Sequence, residues 1–344
     1  MKWPSKTTAT MAATVTVVVA AASVAVVSMR HYYQHAAAVG STVAQQAGLG
    51  GTASGGPSSS PAPKVVAASL PSSGFSYLGV YEGSETSAAQ YAQVEQFAQA
   101  VDRQPNIVMY YSSWGEPFSV PYAQTAQEHG ATLLIDIDPT STSCAAIAAG
   151  QQDAFLRSYA QSVKAFGHPV IISFGHEMNG DWYPWGWTHT PPTVFVQAWR
   201  HIVDVFRQTG ADNVTWLWTV NSINQDEGPI ADYWPGAGYV TWVGLDAYYY
   251  FSYDDFSGVF GASIAAIRQV TSAPILIGET AVGQLAGQAA KIPGLFAGVA
   301  SSGLIGFVWF DQAQDDGVYK QDWRLEGHPY AIAAFRAAAS EYVK

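Results

Sequence analysis

From residue 74 onward the chain alternates between two hydrophobic periods. Short apolar runs of strand length recur at 77–81, 107–111, 132–136, 170–174, 214–218, 242–246, 275–278 and 305–310. Between most of them apolar positions return every three or four residues, the spacing of one helix face. Over 87–103 that face holds Val94, Phe97 and Val101, and Pro105 follows the stop. Over 153–166 it holds Phe155, Tyr159 and Val163, with Gly167 placed as a C-cap. Over 193–209 it holds Phe195, Trp199, Ile202 and Phe206, just before Gly210. One unit is irregular: 226–238 is rich in Pro and Gly and predicts no long helix. Eight strand–helix units in about 270 residues fit an α/β fold, the (β/α)8 or TIM barrel, which usually takes ~250 residues. The alternative is a doubly wound open sheet, but no Gly-x-Gly-x-x-Gly follows an early strand.

The first 73 residues follow neither period. Lys2 and Lys6 precede an apolar stretch from about Thr10 to Met29, the order of an export signal. The stretch approaches the ~20 residues that cross a bilayer, so residues 1–35 read as a cleaved signal or as a retained anchor. Residues 36–73 are dominated by Gly, Ser, Ala, Pro and Thr and can bury no core. They read as a flexible tether, with a catalytic domain over 74–344 that is extracellular or held at the cell surface. Membrane contact would then run only through the N-terminal segment, and the barrel is expected to act as a monomer.

Composition narrows the ligand. The 344 residues carry a net charge of −11, which disfavours a nucleic-acid partner. Only 12% are charged, against 12 Trp and 19 Tyr, a balance that suits a neutral, ring-shaped ligand. The single cysteine, Cys144, has no internal disulfide partner and no matching His for a thiol nucleophile. No Cys/His cluster has metal-ligand spacing, and Asp136 with Asp138 lacks a third ligand in view, so no metal is expected.

In a barrel of this kind the chemistry sits where strands end. Reading those positions gives Glu82; Ser112, Ser113 and Trp114; Asp136 and Asp138; His176 and Glu177; Trp218 and Asn221; Asp246 and Tyr248; Glu279; and Trp309 with Asp311. The densest stretch is Phe174-Gly175-His176-Glu177-Met178-Asn179-Gly180-Asp181-Trp182-Tyr183-Pro184-Trp185. A carboxylate among flat rings suits a sugar chain: a proton donor beside faces on which pyranoses stack. Trp182 and Trp185 are candidates for such a platform, with Trp114 on the second strand. Glu177 follows the fourth strand and Glu279 the seventh, and most glycoside hydrolases use two carboxylates.

His176-Glu177-Met178-Asn179-Gly180 followed by Trp182-Tyr183-Pro184-Trp185 resembles glycoside hydrolase family 26, of clan A. So do Tyr233-Trp234-Pro235-Gly236, Trp242-Val243-Gly244-Leu245-Asp246-Ala247-Tyr248 and Ile277-Gly278-Glu279. The resemblance covers roughly residues 75–340. It implies a retaining mechanism with Glu177 as general acid/base and Glu279 as nucleophile, and it needs no cofactor. It also implies that Tyr248 bonds Glu279, that His176 contacts a sugar 2-hydroxyl, and that Trp309 floors the subsite of the cleaved sugar. Asn179 and Asn221 join the substrate-binding set. One departure stands out: many members carry Arg four residues before the acid/base, and here that position is Ser173.

The expected activity is therefore endo-hydrolysis of a β-1,4-linked polysaccharide, with β-mannan first. Mixed-linkage or β-1,4-glucan comes next, then a surface glycan. A carbohydrate-binding barrel without turnover is the alternative of another class, although a binding module has no need of both glutamates.

Overall fold

The computed structural model describes residues 70–223, 227–314 and 321–343. One compact unit spans Pro63–Ala313 and Asp322–Lys344, and it holds everything described below. The other unit, Met1–Ala62 with Gln314–Gln321, has only residues 314 and 321 among those described. The expected export segment and most of the expected tether lie outside the described residues. Among the described residues no helix is long and apolar enough to cross a membrane.

Eight parallel strands close into a barrel in sequence order. They are β1 (Tyr77–Tyr81), β2 (Ile107–Ser113), β3 (Thr132–Asp138), β4 (Val170–Phe174), β5 (Val214–Asn221), β6 (Trp242–Asp246), β7 (Ile275–Thr280) and β8 (Gly306–Phe310). The helices around them are α1 (Ala88–Val101), α2 (Val120–Glu128), α3 (Cys144–Ala148), α4 (Asp153–Phe166), α5 (Pro192–Thr209), α6 (Phe256–Val270), α7 (Gln288–Ser301) and α8 (Pro329–Tyr342). The irregular connection after β5 carries a short 3-10 turn, Ile230–Tyr233, as its composition led us to expect. Local chemistry sets the helix ends. The Ser87 hydroxyl accepts from the Gln90 amide at the start of α1, and Gly167 takes φ 72° where α4 stops.

Strand side chains alternate between two apolar layers, as period 2 requires. Tyr77, Tyr81, Ile107, Met109, Leu134, Ile171, Leu217, Trp242, Leu276 and Val308 form one cluster, the barrel interior. Their neighbours, such as Val80, Val108, Ile135, Ile172, Trp218, Leu245 and Phe307, join the larger cluster under the helices. The interior is a packed plug, so the open ground for chemistry is the rim where β-strands end.

The opposite end is closed by residues that the sequence reading left in the tether. Leu70 packs against the interior cluster, Tyr77 Oη donates to Pro71 O at 2.7 Å, and Trp242 Nε1 donates to Ser72 Oγ at 3.2 Å. Residues 70–72 thus pack on the closed end of the barrel.

β7 breaks the regular register. Gly244 pairs with Leu276, yet Asp246 pairs with Glu279. On the other side Ile277 pairs with Phe307, and Thr280 with Trp309. β7 therefore carries one residue more than both neighbours, a bulge next to Gly278. A Cβ on Gly278 would come within 2.6 Å of Asp246 Oδ1, so glycine is what the crowding allows.

Candidate active site

Glu279 owes its direction to that bulge. Leu276 faces the interior, and strict alternation would turn residue 279 toward the helices. The extra residue turns it inward, beside Asp246, and leaves it 5% exposed. Two phenols then fix it. Tyr248 Oη donates to Oε2 at 2.6 Å, and Tyr111 Oη donates to Oε1. Tyr248 stands where the resemblance placed it. Tyr111 was missed, although its parity with Ile107 and Met109 on β2 marks it as inward.

Glu177 reaches the rim by a different device. Past the end of β4, Gly175 takes φ 55° and Glu177 itself takes φ 53°. A left-handed backbone at a non-glycine residue costs on the order of 1 kcal/mol and persists only where neighbours enforce it. They do: Gly175 N donates to Ile137 O on β3, and Glu177 N donates to Thr219 O on β5. The carboxylate accepts from Trp182 Nε1 at 2.9 Å and from Asn221 Nδ2. Gly180 makes room for that indole, since a Cβ there would meet the Trp182 ring at 2.3 Å. Burial raises the pKa of Glu177 to about 7; His176, Asn221 and Trp182 pull down, and Glu279 pushes up.

Asn179, fully buried, positions rather than binds. Its Nδ2 donates to Asn221 O at 3.0 Å and to Glu227 Oε2 at 3.0 Å, and its Oδ1 accepts from Asn221 N at 2.8 Å. This clamp aims the Asn221 amide at Glu177.

His176 departs from expectation, because both of its ring nitrogens are taken by protein. Nδ1 lies 3.0 Å from Asp138 Oδ1, and Nε2 lies 2.9 Å from Tyr183 Oη. Burial disfavours the charged ring, yet Asp138, then Asp136 and Glu279, outweigh it, and the pKa sits well above the histidine range. The carboxyl groups of Asp138, Asp136 and Glu279 thus favour the charged ring. The sugar contact expected of it is not available in this arrangement. Burial lifts Asp136 to about 7 and holds Asp246 well above the usual carboxylate range, with Glu279 and Glu177 adding to the effect on Asp246. At Ser173 the hydroxyl bonds Thr219 Oγ1 at 2.9 Å, so no cation comes from that position.

Three of the expected sugar platforms are packing residues. Trp309 is fully buried and faces the helices, its ring 5.4 Å from Phe335 on α8 and its Nε1 on Asp311 Oδ1 at 3.0 Å. At the rim end of β8 the interior side is taken by Phe310, stacked on Tyr81 at 4.8 Å. Trp114 is buried against Phe155 and Phe174, with Nε1 on Gln152 Oε1 at 3.1 Å. Trp185 is buried under the loop, stacked 4.4 Å from Tyr183, and its Nε1 donates to His176 O at 2.8 Å. Trp182 is half-buried at the rim, with its Nε1 on Glu177 Oε2. Among the described residues no group of three His, Cys, Asp or Glu is arranged to hold a metal ion.

Residues 139–325 match the family described as glycosyl hydrolase family 26. The chain is 31% identical to Endoglucanase H of Acetivibrio thermocellus over 278 residues, which is 76% of this chain and 30% of that protein. It is 34% identical to mannan endo-1,4-beta-mannosidase of Bacillus subtilis over 100 residues, 27% of each chain. It thus spans under a third of the length of these curated relatives. Among solved structures, the catalytic domain of the Bacillus sp. JAMB-750 GH26 endo-beta-1,4-mannanase shares the fold. Its TM-score is 0.61 at 15% identity, covering 78% of this chain and 87% of that one. The Bacillus subtilis mannanase man26 gives a TM-score of 0.56 at 17% identity, covering 76% and 85%. With its match extending over more than half of its length, from the loop after β3 to the residues before α8, the chain belongs to glycosyl hydrolase family 26.

Proposed function

We propose that this protein is a retaining glycosidase that cleaves within a β-1,4-linked hexose polysaccharide, with mannan as the lead substrate. The observation that carries the reading is the unequal treatment of two glutamates on one rim. Glu177, with its pKa near 7, keeps a proton to give to the glycosidic oxygen. Glu279, accepting from two tyrosine hydroxyls, is the carboxylate that attacks the anomeric carbon. The C–O bond to the leaving sugar breaks as the glycosyl–Glu279 ester forms. Glu177 then takes a proton from the water that hydrolyses the ester. Trp182 and Asn221 hold Glu177 in place, while Tyr111 and Tyr248 hold Glu279.

One observation favours a glucan instead. The match to Endoglucanase H runs over 76% of the chain, whereas that to the B. subtilis mannosidase covers 27%. The apolar run at 10–29 and the Gly/Ser/Pro stretch that follows support a catalytic domain exported and tethered outside the cytoplasm. The test is incubation of the full chain with β-mannan, mixed-linkage β-glucan and carboxymethyl cellulose. Reducing ends are counted, and the first-formed anomer is read by NMR. Release from one polymer with the β-anomer first is expected. No release from any of them, or the α-anomer first, overturns the reading.

A further inference from the structure

Beyond the catalytic pair, a ladder of rings leaves the site along the loop after β6. Tyr248, bonded to Glu279, lies 6.2 Å from Tyr250; Tyr250 lies 6.3 Å from Phe251; and Phe251 stacks on Tyr253 at 5.1 Å and 13°. The ladder ends in the open, for Tyr253 is 76% exposed. It does not end on a slack loop. The Asp254 carboxylate accepts from Tyr250 N at 2.7 Å and Phe251 N at 2.8 Å. Asp254 N bonds Phe251 O at 3.0 Å, and Lys291 on α7 donates to Asp254 O at 2.6 Å. A lone exposed aromatic needs no explanation. An exposed phenol with a second ring behind it, on a turn clamped from both sides and continuous with the catalytic rim, is a preorganised flat surface.

We propose that Tyr253, backed by Phe251, is a stacking platform for a sugar unit of the same polysaccharide, several units from the scissile bond. The inference rests on the functional reading above. The occupant follows from continuity: a polymer held between Glu177 and Glu279 must leave the rim, and the ring ladder marks one exit. A neutral pyranose face suits an uncharged ring on a chain whose net charge is −11. Stacking is read from the ring and not from the hydroxyl, so Tyr253→Phe retains it and Tyr253→Ala loses it.

The experiment measures kcat/KM for full-chain wild type, Tyr253→Ala and Tyr253→Phe on a length series of β-1,4 oligosaccharides and on polymer. The wild-type to Ala ratio is expected to grow with substrate length, reaching roughly tenfold on polymer through KM, an effect of ordinary hot-spot size. The Phe variant should stay close to wild type. Turnover by wild type with a length-independent ratio overturns this inference and leaves the functional reading intact. Absence of wild-type turnover overturns the functional reading instead. Retardation on polysaccharide gels then decides the platform: weaker retardation of the Ala variant supports it, and equal or absent retardation of the two proteins overturns it.

Discussion

The ends of β4 and β7 put the same side chain on the same rim by opposite means. At β4 the backbone is bent: Glu177 sits in a left-handed conformation after the strand has ended, and its carboxylate meets an indole and an amide. At β7 the strand continues, one inserted residue redirects Glu279, and two phenols meet it. The first device leaves a buried carboxyl group whose desolvation outweighs its indole and amide donors and raises its pKa to about 7. The second surrounds the carboxyl group with two hydroxyl donors, from Tyr248 and Tyr111. The proposed acid and the proposed nucleophile thus differ in their surroundings.

The hardest test removes one side of the contrast. Glu279→Ala is expected to lower kcat by at least about 10⁴-fold, since no glycosyl–enzyme can form. Added azide should restore turnover with a product of opposite anomeric configuration. Wild-type rates in the alanine variant would end the assignment. Glu177→Ala should be selective: about 10²–10⁴-fold on polysaccharide, where the leaving sugar needs a proton, and far less in the first step of aryl glycosides with good leaving groups. Equal losses across leaving groups would erase the difference between the two ends.

Tyr111→Phe sharpens the β7 side. A hydrogen bond to a charged group is worth ~1.5–3 kcal/mol, so kcat/KM should fall roughly 10–100-fold with the thermal midpoint little changed. A fall in the midpoint with unchanged kcat/KM would make Tyr111 a structural residue. Trp182→Phe sharpens the β4 side. As the proposed acid, Glu177 must be protonated in the first step, so kcat/KM on poor leaving groups should decline as pH rises through about 7. Trp182 favours the ionised carboxylate; without its donor the proton is held longer, and the alkaline limb should move upward. A pH–rate profile with an unmoved limb breaks the link.

The smallest effect contrasts the mouth with the closed end. A chain beginning at Leu70 should keep its thermal midpoint and rate. One beginning at Gly74 loses the Pro71 and Ser72 bonds and the Leu70 cover, roughly 2 kcal/mol, and should melt several degrees lower with its rate on soluble polymer retained. Equal midpoints would return residues 70–73 to the tether.

What was legible followed from repetition. Eight apolar runs and their helical intervals are signals that many residues repeat, and the strands stand where those runs lie. The bond from Tyr248 to Glu279 was legible because the motifs that carry them are dense. The error at Trp309 came from choosing an aromatic by kind instead of by parity. Trp309 pairs with Val80 and Phe310 with Tyr81, so the alternation sends the indole to the helices and the phenyl ring to the interior. The same count would have selected Tyr111. His176 was misread for another reason. Its partners Asp138 and Tyr183 lie 38 and 7 residues away, and only the closed barrel brings the first of them to the ring.

The inserted residue of β7 has a meaning for how such a site comes about. A strand with an even count on each side is symmetric scaffolding, free to vary so long as its greasy positions stay greasy. One added residue shifts the phase of everything after it by half a period, and a carboxylate coded for the outer layer arrives in the lumen. No new fold, loop or long-range rearrangement is called for. In that sense the place of Glu279 is a frameshift in space: a single inserted residue moves its carboxyl group from one layer to the other.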